Sequence, residues 1–259
     1  MQAFPAIGDE KQTLHITSYN EFHMTNDADL FRFDGVGWPL YQGGKIHHYN
    51  AYFDSIERTV VQSEGEARLA KKRRKQVTEL RDRTYRLAWR DVAQPTDLRS
   101  LIATILPRGV FAGNTLNLAE IVLDSSPTLE SEIISGINVI FSSFIADFFI
   151  RQRISRHVNA FILKSLPVPR DVEAIRELGR LALPLYCGEE FEAFRGGLEQ
   201  LDDERQRLKL IAQLDACTAR LYELSYEEYQ AVLGGFPLVA EEQKKHCLLA
   251  FKELLFGEI

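Results

Sequence analysis

Hydrophobic and polar positions follow two patterns along the chain. Through the first third of the chain, and again up to Leu106, the apolar residues fall in short runs without helical period, set among aromatics, glycines and prolines. That pattern predicts strands and loops. Leu14 to Tyr19, Phe31 to Tyr41, Tyr85 to Val92 and Leu98 to Leu106 read this way, the last closed by Pro107 and the turn Arg108-Gly109. The stretch from Trp38 to Gly44 reads as an extended segment running into a turn, because proline fixes φ and two glycines allow φ above zero. Gly109 to Asn114 is a further tight connection. Glu64 to Lys75 has strong helix formers and few apolar anchors, as in a solvated helix or a mobile loop.

Beyond that point the period becomes helical. From Thr128 to Arg153, Ile133, Ile134, Ile137, Phe141, Phe144, Ile145, Phe148 and Phe149 recur at three and four, which predicts one helix close to full burial. Arg151 and Arg153 sit in its last turn, where the helix dipole favours them, so half of their explanation is capping. Phe161-Ile162-Leu163 reads as a short strand closed by Leu166-Pro167-Val168-Pro169, an extended boundary. Four helices are expected after it. Asp171 caps the first, and Leu198 to Leu224 carry the apolar stripe of the second. Ser225 and Glu228 form a capping box for the third, which stops near Gly234-Gly235, and Glu241 to Phe256 make the fourth. The expected fold is α+β: a mixed-strand domain with one buried helix, followed by an all-helical tail. The expected division is 1–55 as an entry segment, 56–169 as the mixed-strand domain and 170–259 as the tail.

Charge changes this picture more than composition does. The net charge of −6 argues against a polyanionic partner for the chain as a whole. It conceals a segment from Arg68 to Arg90 with ten basic residues and two acids, while fifteen acids face eight bases after Cys187. Such a split suggests different partners for the two parts. No apolar run is long enough to span a bilayer, the first ten residues lack a secretory pattern, and three widely spaced cysteines suit reduced thiols, so a cytoplasmic location is expected.

The search for chemistry is mostly negative. Transfer to the amino group of adenine requires an Asn/Asp/Ser-Pro-Pro-Tyr/Phe motif, and the chain has no Pro-Pro dipeptide. Gly35-Val36-Gly37 reads as a plain turn. Glu242-Gln243-Lys244 reads as helix-surface charge. His47-His48 on a strand would point to opposite faces and gives no metal site. No catalytic or metal-ligating residue is assigned.

Four stretches, in order, resemble the C-terminal half of gamma-class adenine-specific DNA methyltransferases, the family that includes type IIG restriction-modification enzymes and related phage-defence methylases. Leu40-Tyr41-Gln42-Gly43-Gly44-Lys45-Ile46-His47-His48-Tyr49 is similar to the family's Leu-Tyr-Glu-Gly-Lys-Met-Ile-His-Gln-Phe segment, with Gln42 in place of Glu and Gly44 in place of Lys. Arg86 to Ala93, with Arg99 to Phe111, is similar to its Arg-x-x-Arg-Asp-Ile-Ala and Ala-x-Leu-Pro segments. Phe141 to Arg153 and Asn159 to Pro169 resemble its Leu-Asn-Ser-Phe helix and Leu-Pro-x-Pro strand end. Leu221 to Pro237 resembles its helical tail. The motifs of the family's catalytic half are not found within these 259 residues.

The resemblance implies a target-recognition region that binds double-stranded DNA and has no catalysis of its own. S-adenosylmethionine would then belong to a separate catalytic domain or subunit. Phosphate contacts are expected from Lys71, Lys72, Arg73, Arg74 and Lys75, and Lys45, Arg90, Arg108, Asn114, Arg156 and Asn159 are further candidates for the DNA face. The stripe of Leu201, Leu208, Leu214 and Leu221 is a candidate for docking a catalytic methyltransferase or nuclease subunit. The rival expectation is a scaffold or assembly protein that keeps the fold without reading DNA.

Overall fold

The computed structural model describes residues 4–72 and 84–257, and the fold is α+β. The main sheet is antiparallel, in the order β1 (Leu14–Tyr19), β7 (Leu116–Leu123), β4 (Arg86–Arg90), β5 (Ala103–Leu106), with β8 (Ser126–Pro127) paired onto β7. Its register places Ile16 opposite Ile121, and Leu87 between Ala119 and Ile105. A smaller sheet runs β3 (Thr59–Val60), β2 (Trp38–Tyr41), β6 (Phe111–Ala112), with β2 and β6 parallel. The stretch Phe31 to Tyr41, expected as strand and loop, is a loop until Trp38. There Asp34 accepts the Val36 N–H at 3.0 Å, and Gly35 and Gly37 take positive φ.

Two hydrophobic clusters form. Phe22, Leu40, Val60, Leu69 and Phe111 make a small one, and Leu69 anchors to it the helix α1 (Gln62–Lys72). The large one lies on the main sheet, where Trp89 is fully buried and donates from Nε1 to the Val158 carbonyl at 2.7 Å.

The helix expected over Thr128 to Arg153 is two, α2 (Ser131–Ser142) and α3 (Phe144–Arg151), bent by 55°. Ser143 makes the break. Its hydroxyl donates to the Ile140 carbonyl at 2.7 Å and accepts from the Ala146 N–H at 3.1 Å, ending one helix while capping the next. Both helices are core elements, and no single helix among the described residues is long and apolar enough to cross a membrane. Arg151 serves more than the dipole: with Arg99 it holds the buried Asp147 carboxylate, at 3.2 and 2.7 Å.

The strand expected at Phe161 to Leu163 is instead a short helix, α4 (Ala160–Lys164), started by the Asn159 side chain accepting from the Ile162 N–H at 3.0 Å. In the tail, Asp171 caps α5 (Val172–Ala182), and a single turn, α6 (Glu192–Arg195), follows it. The helix expected to begin near Leu198 begins later, as α7 (Glu204–Leu221), because Asp203 accepts the Gln206 N–H at 2.8 Å and Leu201 donates to the Pro184 carbonyl instead. Ser225 with Glu228 forms the expected box on α8 (Tyr226–Gly234), and the expected last helix is α9 (Glu241–Phe256). The large cluster continues from the sheet through α2 into α5, α7, α8 and α9.

Candidate nucleic-acid interface

Antiparallel pairing puts the C-terminal ends of β1 and β4 beside the N-terminal end of β7, because Tyr19 faces Leu118 and Arg90 faces Leu116. The loop after β2 lies against this sheet end. Gly43 makes that possible: a Cβ there would lie 2.8 Å from the Thr115 carbonyl, and its N–H donates to Thr115 Oγ1 at 3.1 Å. Lys45 follows at once, half-exposed, with Nζ 2.8 Å from Asp54 Oδ2. Arg90 reaches into the same loop, donating through Nε to the Ile46 carbonyl at 3.0 Å and through Nη2 to the same oxygen. Its guanidinium lies 5.7 Å from the centre of the half-exposed Phe53 ring.

Two further stretches reach this end. Residues 156–158 run beside 91–93: Ala93 donates to the Arg156 carbonyl at 3.1 Å and Val158 to the Asp91 carbonyl at 2.7 Å. Arg156 is exposed, and its side chain makes no hydrogen bond to any described residue. On the other flank the segment from Glu21 to Asp27 is held by Asn114, whose Oδ1 accepts from Met24 N at 3.0 Å. Lys72 holds the same segment, with Nζ donating to the Glu21 carbonyl at 3.0 Å and pairing with Asp27. Burial alone would raise the Asp27 carboxyl, but bonds from Lys72, the His23 N–H and Arg68 outweigh it and hold it below the usual carboxylate range. Lys71 is exposed on α1.

The fold thus brings Lys45, Arg90, Asn114, Arg156, Lys71 and Lys72 around one sheet end. Arg108 is not among them. It follows β5 at the opposite end, where it stacks 4.5 Å from the Tyr85 ring centre beside Glu189, Glu190 and Glu192 in a cleft of about 600 Å³. Asn159 is near the shared end in sequence, but its side-chain oxygen Oδ1 is used in the α4 cap. Arg73, Arg74 and Lys75 lie outside the described residues.

Behind Lys45, His47 and His48 sit in a tight turn in which His47 and Asn50 exchange backbone hydrogen bonds at 2.8 and 3.0 Å. Their rings meet edge to face at 5.1 Å, unlike the opposite-facing pair a strand would give. Burial, with Arg90 and Arg99 nearby, pushes His47 down to about 4 and His48 well below its ordinary value. Both are neutral at pH 7.

A contact absent from the sequence expectations lies in the same place. His157 Nδ1 is 2.7 Å from Asp91 Oδ2, and Asn117 donates to Asp91 Oδ1 at 3.0 Å. The separation of 66 positions between Asp91 and His157 hides the pair from any spacing rule. The one local signal is Asp91 itself, inside the segment similar to Arg-x-x-Arg-Asp-Ile-Ala.

In the tail, Leu214 is buried, Leu201 and Leu221 are half-buried and Leu208 is exposed. Leu210, Leu214 and Cys217 of α7 line a groove of about 450 Å³ with Ala250 and Leu254 of α9 and Leu181 of α5.

No family model matches this chain, and no curated protein matches it. Among solved structures it is similar to one described as the Type IIL restriction-modification enzyme MmeI in complex with DNA, with a TM-score of 0.45 and 13% identity over 91% of this chain. The match takes in 35% of that chain, so the present chain spans about a third of the length of the structure it matches.

Proposed function

We propose that the chain is the sequence-reading part of an adenine-N6 DNA methyltransferase or restriction-modification system, binding double-stranded DNA and performing no chemistry itself. The observation that carries this reading is the shared sheet end, around which Lys45, Arg90, Arg156 and the adjacent Lys71 and Lys72 come from four separate stretches of the sequence. A concentration of cations in an otherwise acidic protein supplies the phosphate term that dominates duplex affinity. The ordered resemblance of four segments to gamma-class methyltransferase recognition regions supplies the rest of the support. In this reading S-adenosylmethionine and the methyl transfer belong to a separate catalytic domain or subunit, the system serves phage defence in the cytoplasm, and the tail docks a methyltransferase or nuclease subunit.

The commitments of individual residues refine their roles. Lys45 and Lys72 are neutralised by Asp54 and Asp27, and Arg90 holds the Ile46 carbonyl, so these three shape the surface, while Arg156 and Lys71 are open to reach phosphate. A gel shift with random-sequence duplex at low salt tests the reading. Binding is the expected result, and none would favour a scaffold that keeps the fold without reading DNA.

A further inference from the structure

The Asp91–His157 pair has the properties of a reading device, and this inference rests on the DNA-binding reading above. Asp91 is fixed at every polar group: its N–H donates to the Thr115 carbonyl at 3.0 Å, its carbonyl accepts from Val158, and its carboxylate accepts from Asn117 and faces His157. Asn117 is itself buried on β7, and Trp89 pins the Val158 carbonyl beside it. A carboxylate only accepts, so Nδ1 of His157 carries the shared proton, and Nε2 is the ring nitrogen left without a hydrogen bond to any described residue. The imidazole side chain is 55% exposed while the group that orients it is 22% exposed. An exposed histidine on a half-buried carboxylate contributes little to stability.

Rigidity separates this pair from its neighbours. Phosphates are contacted adequately by long mobile cations such as Arg156, whereas reading a base edge requires an acceptor or donor held in one direction. We propose that His157 reads one base pair, its Nε2 accepting a hydrogen bond from the amino group of an adenine or cytosine in the major groove, with Asp91 as the positioning residue.

The test is selection from a randomised duplex pool by the full chain and by His157→Ala, Asp91→Ala and Arg156→Ala, each first checked for an unchanged melting temperature. The expected result is a motif in which His157→Ala and Asp91→Ala relax the same single position, by roughly five- to tenfold. Arg156→Ala should weaken all sequences alike and leave the motif intact. A duplex whose adenine or cytosine at that position lacks the amino group should bind the wild type and His157→Ala equally. If Asp91→Ala fails to fold, this comparison with His157→Ala still decides the matter. An unchanged motif in His157→Ala, or full discrimination by that variant against the base without the amino group, would overturn the proposal. Failure of the wild-type chain to bind any duplex would overturn the DNA-binding reading itself.

Discussion

Gly179 of α5 lies so close to Gly136 of α2 that a Cβ on Gly179 would fall 2.5 Å from the Gly136 nitrogen and 1.7 Å from the Glu132 carbonyl oxygen. The helices meet backbone to backbone there, and this contact fastens the tail to the sheet domain. Both obstructing atoms are main chain and cannot turn aside as a flexible side chain would. Gly179→Ala is therefore expected to cost at least about 3 kcal/mol in urea unfolding, because overpacking forces the backbone apart. A destabilisation below about 1 kcal/mol would show that α5 does not pack on α2 this closely.

Stability should depend on pH through Asp215. Burial raises its carboxyl to about 6 despite opposing effects of Arg99, the Phe144 N–H and the Tyr229 hydroxyl. A folded value above the ordinary 3.8 means that the protonated form suits the fold. This contribution is full below about 3.8 and disappears as pH rises through 6. Asp27, held low, acts with the opposite sign, its contribution fading as pH falls below its ordinary range. Urea midpoints between pH 4 and 7 should decline more steeply in the wild type than in Asp215→Asn, and parallel curves would remove the assignment.

The leucines of α7 should separate under substitution. Leu208 is 52% exposed and Leu214 is 1% exposed. Leu208→Asp should change stability by no more than about 0.5 kcal/mol, and Leu214→Asp should cost more than about 3 kcal/mol. Leu208→Asp is thus the variant with which to test docking of a catalytic subunit by co-purification. Dissociation of the complex with the fold retained is the expected result; an unchanged complex would exclude Leu208 from it.

Asn159 separates capping from DNA contact. Asn159→Ala should lower stability by about 1 kcal/mol, the usual cost of removing a helix cap. Asn159→Gly should cost only a few tenths. If both lower duplex affinity equally while differing in stability, the side chain touches DNA.

The sequence pattern revealed the α+β class, the first strand, the tail helices and the Ser225 cap, since these rest on local period and capping chemistry. It did not reveal β7, the central strand. Leu116 to Leu123 are buried on both faces, which removes the alternation by which a strand is recognised. Phe161-Ile162-Leu163 is too short for its period to distinguish strand from helix, and the informative residue is Asn159 before it. Ser143 divides a continuous apolar stripe because one hydroxyl serves two helix ends. At the candidate interface the residue types were legible, but their assembly was not. Arg108 and Arg90 look equivalent in sequence and lie at opposite sheet ends, and His157 meets Asp91 only through the pairing of 91–93 with 156–158.

The salt dependence of duplex binding tests the central claim most directly. Affinity for random-sequence duplex should fall steeply between about 50 and 200 mM salt. Neutralising Lys71, Lys72, Arg73, Arg74 and Lys75 together should reduce the slope of log affinity against log salt by about 0.9 for each phosphate that these side chains neutralise. An unchanged affinity and slope in that variant would contradict the assignment of DNA binding to this segment.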